Sequence, residues 1–161
     1  MKYLTLIRHA KSDHTVPGTA DRDRPLNERG RKDAPTMGSR LSSLFLQPDI
    51  VLASPAQRVR ETLTGIAAGG AVTVSQVTEH HDALYLAEAE VLWDFAASAL
   101  MEDDEVWLVA HNPGLTEMVE QLCGARLENV PTLGVVRIAF EEVIVESPNG
   151  TLVFYDTPKS R

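Results

Sequence analysis

Two short apolar runs, residues 3–7 and 106–110, show almost no polar alternation, which suits strands covered on both faces of a parallel sheet. Each run stops abruptly at polar groups, the first at Arg8-His9 and the second at His111-Asn112. In open α/β sheets ligands bind in the crevice outside the carboxyl ends of the strands. Both histidines therefore fall where such a fold displays reacting groups.

Between these runs the sequence alternates strand and helix signals. Residues 11–26 form a polar loop containing Pro17, Gly18 and Pro25, long enough for an irregular loop to have a function, and it is expected to line the site. A helix is predicted from about Asn27, a good N-cap, with Ala34, Met37, Leu41, Leu44 and Phe45 on one buried face. Pro35 removes a helical hydrogen bond and presses on the Arg31 carbonyl, which predicts a kink or break there. Residues 50–53 make the next strand and end at Ser54-Pro55. A helix with Val59, Leu63 and Ile66 on one side follows, stopped by Gly69-Gly70. Residues 71–77 alternate enough to predict a strand, and Glu79-His80-His81-Asp82 a polar connection. Val91, Phe95 and Ala99, with Leu92 and Ala96, predict a helix that ends at Asp103-Asp104; Trp93 belongs to the same covering helix. After His111, Asn112 can cap and Pro113 can open a helix carrying Leu115, Val119 and Leu122. Residues 135–140, 143–145 and 151–155 are β-rich, the last two separated by a Pro-Asn-Gly turn, which predicts antiparallel additions near the C-terminus. The expected fold is three-layer α/β/α with a mainly parallel central sheet.

With 161 residues and 43% hydrophobic content, one well-buried core and a single domain over 1–161 are expected. No apolar run approaches membrane-spanning length, and the chain opens on Lys2-Tyr3-Leu4 with no leader pattern, so a cytoplasmic protein is expected. The lone cysteine, Cys123, reads as an ordinary buried thiol; it allows no internal disulfide and no cysteine-based zinc site. A net charge of −8 disfavours nucleic acid and anionic lipid. The early arginines, Arg22, Arg24, Arg29 and Arg31, with Lys32, are interleaved with Asp21, Asp23, Glu28 and Asp33, a mixed segment and not a basic stripe. His14, His80 and His81 offer no i, i+4 pair on one helix face. They read as solvated loop histidines, and no metal or other cofactor is expected.

Three strand ends thus carry Arg8-His9, Ser54 to Arg58, and His111-Asn112. An arginine presents a planar fork of donors that matches phosphate oxygens in pairs and stays charged, so Arg8 and Arg58 together suit a phosphoryl group. A neutral imidazole can attack phosphorus and leave a covalent phosphohistidine, while a second one donates to the phosphoryl oxygens. A backbone carbonyl accepting from the far ring nitrogen would fix the tautomer of the attacking ring.

Read along nearly the whole chain, this pattern resembles the histidine phosphatase superfamily, and most closely its short SixA-type phosphohistidine phosphatases. Arg8-His9-Ala10 stands at the family's Arg-His-Gly signature, which implies His9 as nucleophile and Arg8 as phosphate ligand. The segment Asp23-Arg24-Pro25-Leu26-Asn27-Glu28-Arg29-Gly30 implies a substrate-recognition role for Arg24, although an arginine among aspartates also suits a surface ion pair. Ser54-Pro55-Ala56-Gln57-Arg58, through Thr62, implies Arg58 as the second phosphate ligand. His111-Asn112-Pro113-Gly114 implies His111 as the transition-state donor. The resemblance also implies a phosphoglycerate mutase-like fold.

Two departures stand out. Ala10 replaces the signature glycine, which excludes only conformations that need a missing Cβ. The leaving-group acid of larger members is not matched; Glu79 and Asp82 are the candidates in that region. Weak acid machinery and a short chain with little sequence for a lid favour a phosphohistidine presented by a protein partner, since a protonated imidazole leaves readily. The alternatives are a phosphatase of a small phosphorylated metabolite and a phosphate-binding regulatory module without turnover.

Overall fold

The computed structural model describes residues 1–71 and 73–160. Its centre is a six-stranded sheet in the order β3-β2-β4-β1-β5-β6, built from β1 (Lys2–Arg8), β2 (Ile50–Ala53), β3 (Thr78–His80), β4 (Glu105–Ala110), β5 (Val135–Phe140) and β6 (Thr151–Asp156). The first four strands pair in parallel, whereas β5 runs antiparallel to β1, and β6 antiparallel to β5.

Alternate strand residues face two separate cores, which is why the runs are almost wholly apolar; buried Thr5 is the exception, its hydroxyl accepting from Arg137 Nη1 at 3.1 Å. Leu4, Leu6, Leu52, Val106 and Leu108 face α4 (Ala89–Leu100) and α5 (Gly114–Cys123). Ile7, Val51, Ala53, Trp107 and Val109 face α1 (Glu28–Ser43) and α2 (Gln57–Ala68). This is the expected α/β/α sandwich, with Trp93 of α4 stacked on Phe140 at 5.7 Å between ring centroids. Among the described residues no helix is long and apolar enough to cross a membrane.

Helix α1 starts as its cap predicts, Asn27 accepting from the Gly30 N–H at 2.9 Å. Of the expected kink or break at Pro35, the break does not occur: the helix runs on through it. Close packing on α2 holds it: a Cβ at Gly38 would collide with the Ile66 carbonyl, so the two backbones are nearly in contact. Leu44 and Phe45 do not join the buried face. The helix ends at Ser43, Phe45 turns left-handed with φ 59° and stands 92% exposed, and Leu46 folds back against the core in their place.

The predicted strand at 71–77 is replaced by a helical turn, α3 (Val74–Val77), with the strand following at Thr78–His80; Val72 lies outside the described residues. Ala71, Val74 and Val77 all meet the α1–α2 core, an i, i+3, i+6 spacing that the apparent alternation concealed. Residues 143–145 are not a strand either. The β5 ladder is already taken by β1 and β6, and the Val145 carbonyl accepts from Trp93 Nε1 at 2.9 Å. At α5, Pro113 occupies the N-cap position and the helix starts one residue late. The Asn112 side chain still accepts from the Thr116 N–H.

Candidate active site

The parallel register sets Arg8 of β1 level with Ala110 of β4, and Ala53 of β2 level with Val109. The residues that follow, His9, Ser54 and His111, therefore emerge together at one sheet edge. Arg58 joins them from the first turn of α2. His9, His111 and Arg58 border a cavity of about 270 Å³ whose lining also includes Arg8, Asp21 and Arg24. The structure thus brings all five expected residues, Arg8, His9, Arg24, Arg58 and His111, to one place.

His9 and His111 lie 5.2 Å apart between ring centroids and are 6% and 2% exposed. The Nδ1 of His9 is 2.8 Å from the Ala10 carbonyl, which can only accept, so the proton sits on Nδ1 and the Nε2 lone pair is free of that bond. Ala10 is itself fixed, its N–H donating to Thr62 Oγ1 at 2.9 Å, while that hydroxyl donates to the Arg58 carbonyl. Burial, backed by the charges of Arg58, Arg8 and Arg24, outweighs the Ala10 bond and pushes the His9 pKa down to about 4. Burial again, then His9 and the Arg58 charge, push His111 down to about 3. Both rings are neutral at pH 7.

Each guanidinium is braced by a backbone carbonyl. Arg8 Nη1 donates to the Val130 carbonyl at 3.0 Å, and Arg58 Nη1 donates to the Asp21 carbonyl at 2.7 Å. Arg58 Nη2 reaches the Asp21 carboxylate at 3.0 Å and approaches His111 Nδ1 at 3.4 Å. The Nε groups of both arginines are buried without a partner among the described residues. Two guanidiniums and two neutral imidazoles gathered at one cavity suit an oxyanion with several oxygens.

Sequence reasoning missed Asp21. It lies in a 3-10 turn of the loop after β1, and its carboxylate accepts from Arg58, from Arg24 at 2.8 Å and from the Tyr85 hydroxyl. The Tyr85 bond, then Arg58 and Arg24, hold its carboxyl well below the usual carboxylate range. Asp21 stands two residues before the segment that drew attention to Arg24, in a loop without periodicity, and only its place beside that segment could have marked it. The two candidate acids are elsewhere: Glu79 pairs with His81 at 3.1 Å, Asp82 pairs with Arg22 at 2.8 Å, and neither lines the cavity. His14 does line it, against Arg24, while His80 meets the Ser54 carbonyl at 3.1 Å.

An open α/β sheet with paired imidazoles and guanidiniums at its strand ends defines a class of oxyanion-binding proteins. A family model of the histidine phosphatase superfamily (branch 1) matches residues 4–84, and the chain belongs to that superfamily. Over 65 residues, 40% of this chain and 30% of its relative, it is 43% identical to an uncharacterized chloroplastic protein of Arabidopsis thaliana. The chain covers less than two fifths of the length of the curated relatives it matches. Among solved structures, a candidate phosphohistidine phosphatase SixA from Agrobacterium tumefaciens superposes with a TM-score of 0.84 at 26% identity, covering 98% of both chains. The protein histidine phosphatase SixA complexed with tungstate superposes at 0.83 and 20% identity over 97% of each, a likeness of fold.

Proposed function

We propose that the chain is a phosphatase that needs no metal and works through a covalent phosphohistidine on His9, with phosphohistidine on a protein partner as its substrate. The observation that carries this reading is the meeting of two neutral buried imidazoles with two guanidiniums in one cavity, His9 keeping Nε2 unprotonated through its bond to Ala10. In the first step the Nε2 lone pair forms a bond to phosphorus while the bond to the leaving nitrogen breaks. That imidazole leaves neutral, having been protonated on its other nitrogen. Arg8 and Arg58 hold the phosphoryl oxygens, and His111 donates to them as charge builds. In the second step water attacks phosphorus, the Nε2–phosphorus bond breaks, and phosphate departs as the water proton passes to solvent.

The site favours a nitrogen-linked phosphoryl group because, among the described residues, no protonated carboxyl lines it. Its lining carboxylate, Asp21, is held ionised, and Glu79 and Asp82 lie outside. An alkyl phosphate needs an acid at the leaving oxygen, whereas a protonated imidazole does not. One feature favours the second reading, a small phosphorylated metabolite: Lys11 and Arg24 line the same cavity and suit a further anionic group.

Incubation with a labelled phosphodonor followed by quenching gives an acid-labile, base-stable adduct that is absent in His9→Ala. A His9→Ala protein with full activity would overturn the mechanism. Phosphohistidine peptides compared at matched concentration with sugar phosphates and nucleotides test the substrate, and a strong preference for an alkyl ester would reverse the ranking.

A further inference from the structure

Ser54 is fully buried directly behind His111, and none of the roles above uses its side chain. Both of its backbone groups are fixed: its N–H donates to the Val109 carbonyl at 3.1 Å, and its carbonyl faces His80 Nδ1 at 3.1 Å. Its hydroxyl oxygen already accepts from the Ala56 N–H at 3.2 Å. The remaining contact of that hydroxyl is His111 Nε2, at 2.7 Å. A hydroxyl has one proton to donate, and a buried donor without an acceptor is costly. Among the described residues, Nε2 is the acceptor on hand.

We infer that Ser54 is a positioning residue, whose hydroxyl donates to His111 Nε2 and thereby places the imidazole proton on Nδ1, on the side of Arg58. That tautomer forgoes the weak bond that Arg58 Nη2, 3.4 Å away, could donate to an unprotonated Nδ1. With Nδ1 protonated, the 3.4 Å approach of Arg58 Nη2 to His111 Nδ1 sets two donors side by side. Two converging donors with no acceptor between them suit an oxyanion that accepts from both. A neutral imidazole of the opposite tautomer would present a lone pair there and repel a phosphoryl oxygen. Ser54 thus determines whether His111 can serve as a donor at all, and it does so without touching substrate.

The importance of the tautomer rests on the role proposed for His111, but the tautomer itself is read without substrate. Nitrogen-15 spectra of the wild-type protein labelled at histidine, taken at neutral pH, give His111 a protonated Nδ1 and an unprotonated Nε2. Ser54→Ala loses that bias, and kcat falls about tenfold with KM within about twofold, as expected for an interaction made in the transition state. Ser54→Cys, which keeps a weak donor, lies between the two. A protonated Nε2 in the wild-type spectrum overturns the inference whatever the variants do, and so does an unchanged tautomer in Ser54→Ala. A protein with the expected spectrum that released no phosphate would instead overturn the proposed function.

Discussion

The Asp21 carboxylate lies 3.0 Å from Arg58 Nη2, so an internal anion already sits on a guanidinium of the oxyanion site. The same carboxylate bonds Arg24 and Tyr85, and it offsets part of the positive charge gathered by three arginines. Asp21→Asn keeps an oxygen that can accept from Arg58 and removes the charge. Inorganic phosphate is then expected to inhibit about three- to tenfold more tightly, as the competing anion is lost. The inhibition constant for phosphate is the measurement; weaker inhibition would mean that the carboxylate chiefly aligns Arg58.

What the sequence made legible follows from what each residue has to satisfy. Residues 4–7 and 106–110 are buried on both faces, so all but Thr5 are apolar and the strand ends stood out. Arg58 and His111 were legible because each follows its strand within a few residues. Asp21 was not, because it reaches the site through an irregular loop whose path is set by contacts distant in sequence, among them those to Arg58 and Tyr85. The turn at Val74–Val77 was misread because the seven residues 71–77, with four apolar positions, fit either period. Glu79 and Asp82 were chosen by region alone, and their side chains turn to His81 and Arg22.

Stability is expected to fall as the solution is acidified below neutral pH. The folded pKa values of about 4 for His9 and about 3 for His111 lie below the ordinary 6.5, so the unfolded chain binds more protons within that interval. Stability therefore rises with pH between them, each histidine adding a slope of up to about 1.4 kcal/mol per pH unit. Urea unfolding followed from neutral pH down to about 4 tests this. The slope should shrink in His111→Gln, and a curve that is flat in the wild type contradicts the burial of neutral imidazoles.

Arg58→Lys retains a charge but loses the planar fork that meets the Asp21 carbonyl and carboxylate together and that is proposed to hold a phosphoryl oxygen. A fall in kcat/KM of about a hundredfold is expected, with the protein still folded. Steady-state kinetics beside a circular dichroism melt separate the two effects. A variant with near wild-type turnover would remove Arg58 from the site.

Thr62 is buried and links the loop after β1 to α2, accepting from the Ala10 N–H and donating to the Arg58 carbonyl. Thr62→Val conserves shape and leaves the Ala10 N–H without its acceptor, at a cost of about 1 to 3 kcal/mol. Chemical denaturation measures that loss. Adduct formation on His9 should slow in parallel, because Ala10 also orients its ring.

Gly38→Ala sets a methyl group against the Ile66 carbonyl, where backbone has to move. A loss of about 1 to 3 kcal/mol is expected, with kinetics near wild type in the surviving folded fraction, since α1 lies behind the cavity. Unchanged stability would mean that α1 and α2 can separate freely.

The brace on Arg8 comes from the carbonyl of Val130, and the backbone oxygens of Arg8 and His9 are engaged by the N–H of Leu133. Both supports lie beyond the stretch 4–84 that carries the family likeness. A peptide group is the same whichever side chain it bears, so this buttress asks for the path of the chain and is indifferent to its letters. The side chains at 130 and 133 are therefore not dictated by this buttress, whereas His111, in the same half, must supply its ring to the cavity.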